Sequence, residues 1–200
     1  VNFISRQGTI PPFESKLPHT PMGQMCLDGT LWVENGTPYM IYCHEWVEMM
    51  DGTMELVELK PDLSGTVGQP IRLFCASAAE WSTGSLREDG TRTYVTDGCF
   101  LYRTQTGKLL MIWSSFKNGE YAIGIAESMT GKVFGPWKQQ KEPLFDKHGG
   151  HGMIFKTFDG RLCVVLHAPN SPGGAERAHI FEIEDLGHTL KLKDITLSNP

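Results

Sequence analysis

Three stretches decide the fold: Asp28-Gly-Thr-Leu-Trp-Val, Asp97-Gly-Cys-Phe-Leu-Tyr and His151-Gly-Met-Ile-Phe-Lys. Each opens on a polar residue followed by glycine, continues into apolar residues, and leads to a short turn carrying Gly36, Gly107 or Gly160. A strongly apolar run follows each turn: Tyr39-Met-Ile-Tyr-Cys, Leu109-Leu-Met-Ile-Trp and Leu162-Cys-Val-Val-Leu. Asparagine and glycine accept the positive φ of tight hairpin turns, so each repeat is predicted to begin with a β-hairpin. A third run alternates in Met54-Glu-Leu-Val-Glu-Leu, Tyr121-Ala-Ile-Gly-Ile-Ala and Ala178-His-Ile-Phe-Glu-Ile, which predicts a strand with one buried face. A weaker fourth run lies near Ile71-Arg-Leu-Phe, Trp137-Lys-Gln-Gln and Leu190-Lys-Leu-Lys.

Four antiparallel strands per unit, with unit heads 69 and 54 residues apart, describe β-propeller blades. The fold class is therefore all-β, with three four-stranded blades at about 25–76, 92–146 and 147–195. No long run carries a 3.6 period. Propellers close with about four to eight blades, so three read as part of a larger ring. Residues 1–24, with Pro11, Pro12, Pro18 and Pro21, read as a loop or the tail of a preceding blade.

Composition excludes several function classes. The 200 residues carry 18 Lys+Arg against 23 Asp+Glu, a formal net charge of −5, without the basic excess of a nucleic-acid-binding surface. The longest apolar runs, such as Leu109 to Trp113, are far below the roughly 20 residues that span a bilayer. The polar, Pro-rich start reads as a chain whose signal peptide, if it had one, is gone. Cys26, Cys43, Cys75, Cys99 and Cys163 show no CxxC spacing and read as small buried hydrophobes, leaving the compartment open. His44-Glu45 lacks the second histidine of a zinc-protease helix, and Asn35-Gly36-Thr37 reads as a hairpin turn rather than a glycosylation site. Met49, Met50, Asp51 and Gly52 read as an exposed turn.

The first strand of each blade lines the central channel, so the repeat heads Asp28, Asp97 and His151 are expected to converge there in one register. Unpaired buried charge is costly, which makes two carboxylates and an imidazole at a channel mouth hard to explain as packing. They suit acid/base chemistry on an acetal, with one carboxyl as proton donor and a second kept ionised. Trp46, at a strand end, and Trp81, in the insertion between the first two repeats, are candidate sugar-stacking platforms.

The chain resembles the carboxy-terminal three blades of glycoside hydrolase family 43, five-bladed propeller enzymes acting on arabinose- and xylose-containing polysaccharides. The resemblance runs from about Met25 to Asp185. It rests on Cys26-Leu-Asp-Gly-Thr-Leu-Trp-Val, Tyr94-Val-Thr-Asp-Gly-Cys-Phe-Leu-Tyr-Arg, Gly149-Gly-His-Gly-Met and the Phe134-Gly-Pro-Trp turn. It implies an inverting glycosidase, α-L-arabinofuranosidase or β-xylosidase-like, with Asp28 as the aspartate that orients the acid and tunes its pKa. Asp97 falls where the family usually has a Glu-Gly-Pro general acid, and Glu45 is the alternative donor. His151 matches a histidine that holds a calcium ion or an ordered water on the axis, with no cofactor otherwise required, and Arg177 resembles a sugar-contacting arginine.

The family's general base lies in an Asp-Pro context in the first blade. This sequence contains no Asp-Pro, so the base and two blades are expected outside it, on a longer chain or a second polypeptide. Self-association is the other expectation for an open array. The resemblance implies a polysaccharide or oligosaccharide substrate and a secreted or periplasmic location. A non-catalytic carbohydrate-binding or interaction propeller is the competing reading; the absence of a Trp-Asp dipeptide weakens its scaffold version.

Overall fold

The computed structural model describes residues 24–193. The expectation for residues 1–24 falls almost wholly outside that range. Blade 1 consists of β1 (Cys26–Glu34), β2 (Thr37–His44), β3 (Thr53–Leu59) and β4 (Thr66–Cys75), hydrogen-bonded in that order. A single helical turn, α1 (Trp46–Met49), joins β2 to β3, and a small hairpin of β5 (Ser85–Leu86) and β6 (Arg92–Thr93) separates the first two blades. Blade 2 is β7 (Asp97–Arg103), β8 (Leu109–Lys117), β9 (Glu120–Ser128) and β10 (Trp137–Gln139). Blade 3 is β11 (Gly150–Lys156), β12 (Leu162–Ala168), β13 (Arg177–Asp185) and β14 (Leu190–Leu192). All pairings within the blades are antiparallel.

The turn chemistry read from the sequence is realised. Asn35 and Gly36 take φ of 52° and 84° between the paired ends Glu34 and Thr37, the two positive dihedrals of a tight hairpin. Thr104–Lys108 and Thr157–Arg161 form five-residue loops of one pattern in blades 2 and 3, each closed by a backbone bond between its end residues.

Blades pack face to face. Ile41, Met54 and Leu56 of blade 1 meet Met111 and Trp113 of blade 2 in one apolar cluster, while Ile112, Ile123 and Ile125 meet Val164 and Phe181 of blade 3 in a second. A blade between two neighbours must be apolar on both faces. β8 and β9 are accordingly buried almost throughout. The alternation in β3 also misleads: it is buried on both faces, and Glu55 faces inward to accept hydrogen bonds from the Tyr42 and Thr53 hydroxyls beside His44.

The stretch from Met49 to Gly52 also departs from expectation. It is partly to fully buried, because Gly52 N–H donates to Tyr94 O and Tyr94 N–H donates to Met50 O, which stitches the turn to the strand leading into blade 2. All five cysteines are free; Cys43, Cys99 and Cys163 are buried, whereas Cys26 and Cys75 are only partly so.

Candidate active site

β1, β7 and β11 are the inner strands, and each carries a β-bulge at the same level. The bulged pairs are Asp28-Gly29, Gly98-Cys99 and His151-Gly152. A bulge inserts one unpaired residue and re-aims a side chain, a device common beside active sites. The residue that turns left-handed is Asp28 (φ 55°), Gly98 (φ 52°) and His151 (φ 55°). Structural equivalence therefore joins Asp28, Gly98 and His151, and the register expected from the sequence is off by one in blade 2. Asp97 sits one residue earlier, paired with Ser114 on β8.

The shift does not carry Asp97 away from the site. Asp28 Oδ2 accepts the N–H of Gly98, the residue after Asp97, at 3.2 Å, and His151 Nε2 lies 3.7 Å from Asp28 Oδ1. Tyr121, reaching from β9, donates its hydroxyl to Asp97 Oδ2 at 2.8 Å. Burial, and then the neighbouring Asp28 carboxylate, push Asp97 up to about 7, while the Tyr121 hydrogen bond pulls the other way. A carboxyl whose surroundings favour the protonated form is suited to donate a proton at neutral pH.

Glu45 lies just past the end of β2 and caps α1, accepting the Trp46 N–H at 3.1 Å. Its backbone N–H donates to Met25 O at 2.9 Å. Burial raises its pKa, and so does Asp28; Glu45 in turn raises Asp97. The three carboxyls thus share one field.

An open cavity of about 580 Å³ adjoins Asp28 and His151 and is lined further by His167, Glu176 and Arg177. Arg177 stands on its rim, where Nη1 donates to Glu176 O (2.8 Å) and Gly174 O (3.2 Å). Trp46 is half-buried, with the Arg87 guanidinium 5.3 Å from its ring centroid. Trp81 corrects the sequence reading: it is 4% exposed and packs on Trp113 with centroids 4.9 Å apart, over Gly124, which has no side chain to displace it. A tryptophan closed inside the interface between two blades offers no face to a sugar.

The His151 ring is 44% exposed, and its Nε2 faces the Asp28 carboxylate. Calcium takes about six to eight oxygen ligands, and among the described residues no group of three or more His, Cys, Asp or Glu side chains converges to hold a metal. Sequence reasoning missed Tyr121, Ser114 and His167, which nothing in the repeat spacing marks.

Bulged inner strands bearing paired carboxyls and a histidine agree with the family comparison: the profile of Glycosyl hydrolases family 43 matches residues 5–195. The chain belongs to that family. Its three four-stranded sheets correspond to part of the five-bladed family 43 propeller. The chain is 46% identical to an endo-arabinase from Bacteroides thetaiotaomicron VPI-5482, with a TM-score of 0.76 over 82% of this chain and 58% of that one. It is 25% identical to a thermostable family-43 glycoside hydrolase, with a TM-score of 0.74 over 89% and 61% of the two chains. An α-L-arabinofuranosidase from Lactobacillus brevis, 16% identical with a TM-score of 0.64 over 83% and 55%, shares the fold. The chain thus spans about three-fifths of the length of these family 43 structures. No match was found among curated proteins. Among the described residues no helix is long and apolar enough to cross a membrane.

Proposed function

We propose that this family 43 protein is an inverting glycoside hydrolase acting on arabinofuranose- or xylose-type linkages of plant polysaccharides, with Asp97 as the proton donor. The observation that carries this reading is the setting of Asp97, a partly buried carboxyl that accepts the Tyr121 hydroxyl at 2.8 Å next to Gly98, whose N–H is held by Asp28; burial and the Asp28 charge push Asp97 up to about 7. Such a group can protonate a departing glycosidic oxygen at neutral pH. Asp28 tunes it, Arg177 and Trp46 contact sugar, and the exposed side of the His151 ring orders a water.

An inverting acid and base stand roughly 6.5–9.5 Å apart, leaving room for the attacking water. Asp28 accepts the N–H of Gly98, the residue after Asp97, and so serves as a tuning neighbour, and the reading assigns the base to a segment outside these 200 residues. The 46% identical endo-arabinase favours an arabinose polymer over xylan. A polymer cannot cross a membrane, which supports a site of action outside the cytoplasm.

The test compares the intact gene product with its Asp97→Asn and Glu45→Gln variants on arabino-oligosaccharides and on a nitrophenyl α-L-arabinofuranoside. Asp97→Asn is expected to lower oligosaccharide turnover by about 10²–10⁴-fold, and the nitrophenyl rate by less, since an activated leaving group needs little protonation. Intact turnover in Asp97→Asn with loss in Glu45→Gln moves the donor role to Glu45. If neither substitution matters, the enzyme reading falls in favour of a carbohydrate-binding propeller.

A further inference from the structure

Tyr121 is 2% exposed and sits where two blades meet at the carboxyl pair. Its hydroxyl donates to Asp97 Oδ2 at 2.8 Å. Its ring lies against Gly150 of β11, at a distance that leaves no room for a Cβ there, and stacks on the His167 imidazole of β12 with centroids 5.6 Å apart and planes 18° apart. His167 is fixed in turn, because its Nε2 and Asn170 Oδ1 are 2.8 Å apart. Phe116 closes the ring's surroundings at 5.2 Å. Beside it the Ser114 hydroxyl accepts the His151 N–H at 2.8 Å, so the same spot ties β8 to β11. Burial drives the phenol well above its ordinary range, which keeps Tyr121 a neutral donor at every working pH.

An O–H donor at one carboxyl oxygen leaves the other to carry the acidic proton. From this geometry we infer that Tyr121 is a positioning residue for Asp97, and that the stacked His167 with Asn170 holds Tyr121, so that blade 3 sets the aim of a proton donor carried by blade 2. The inference rests on the reading of Asp97 as donor. Asp97 is faced by Asp28 from β1, Glu45 from the β2 end and Tyr121 from β9. Of these three, Tyr121 supplies a hydrogen bond that favours the ionised form of Asp97.

The experiment uses Tyr121→Phe, His167→Phe and His167→Ala in the intact gene product, with kcat and KM for an arabino-oligosaccharide measured across pH. Tyr121→Phe is expected to move the basic limb of kcat to higher pH and to lower kcat by about tenfold with little change in KM, because the donor loses its aim rather than the sugar its contacts. His167→Phe preserves a stacking ring but loses the Asn170 contact, so its kcat should fall by less than that of His167→Ala, which should fall toward Tyr121→Phe. A wild-type pH profile and kcat in Tyr121→Phe overturn the inference, as does equal loss in the two His167 variants. Should Tyr121→Phe not fold, the two His167 variants decide alone. Titration of the Asp97 carboxyl by ¹³C NMR separates this inference from the donor assignment: an upward move in Tyr121→Phe supports the contact even if Asp97→Asn proves fully active, and an unmoved titration refutes it.

Discussion

Gly98 lies directly against His151. A Cβ placed on Gly98 would stand 2.8 Å from His151 Cγ and 2.9 Å from its Cα, and Gly98 itself holds φ at 52°. Asp28 and His151 tolerate the same left-handed backbone at their own bulges, as aspartate and histidine do more readily than most residues. In blade 2 the neighbour's backbone occupies the space, so only the residue without a side chain fits.

Gly98→Ala is therefore expected to destabilise the protein by more than the ~1–2 kcal/mol that left-handed backbone costs an L-residue. It should also displace His151 from Asp28. Urea unfolding measures the first effect and the kinetics of the intact gene product the second. A variant with unchanged stability would mean that the bulge relaxes at no cost.

The same bulge marks how far the sequence could be read. Blade number, strand order and hairpin positions were legible because Asn35-Gly36 and Asp159-Gly160 specify turns and the runs between them are apolar. The level at which the carboxyls meet was legible too, since a polar residue next to glycine heads every inner strand. The register was not: Asp-Gly occurs in both blades 1 and 2, but the left-handed residue is the aspartate in one and the glycine in the other. Spacing does not encode that choice, which depends on what packs above. Tyr121 was hidden for a related reason. Asp97 pairs with Ser114, Ser114 pairs with Ile123, and Tyr121 reaches back from two residues along β9.

Trp81 separates packing from sugar binding. Its substitution by alanine would leave a large void against Trp113, and large-to-small changes of this kind cost about 3–5 kcal/mol. Trp81→Ala should show that loss in urea unfolding while the KM of the folded protein stays close to wild type. A raised KM at unchanged stability would return Trp81 to the sugar-binding set.

Glu55 tests the wall behind Glu45. Its buried carboxylate accepts from the Tyr42 hydroxyl at 2.9 Å and from the Thr53 hydroxyl at 3.1 Å, and it lies 3.1 Å from His44 Nδ1. His44 Nε2 is in turn 3.0 Å from Glu48 of α1, the turn that Glu45 caps. Removing one member of a buried charged network strands the others, typically at about 3–5 kcal/mol. Glu55→Ala is expected to lose stability on that scale, read by thermal or urea unfolding. A loss below about 1 kcal/mol would indicate that water replaces the carboxylate.

Asp97 makes a prediction about stability against pH that needs no substrate. Its folded-state value of about 7 lies above the ordinary 3.8, so between those limits the folded protein holds a proton that the unfolded chain has released. Unfolding then releases a proton, and stability falls as pH rises across the window. Asp97→Asn carries no charge at any pH and lacks this loss. Relative to wild type the variant should therefore gain stability between about pH 4 and pH 8, with a ceiling of about 4 kcal/mol at 1.36 kcal/mol per pKa unit, lowered by the water that reaches a partly buried carboxyl. Urea unfolding of both proteins at the two ends of the range measures the difference. A constant offset between them would show that Asp97 ionises like an ordinary aspartate, and a donor that has already lost its proton at neutral pH could not protonate the departing sugar oxygen.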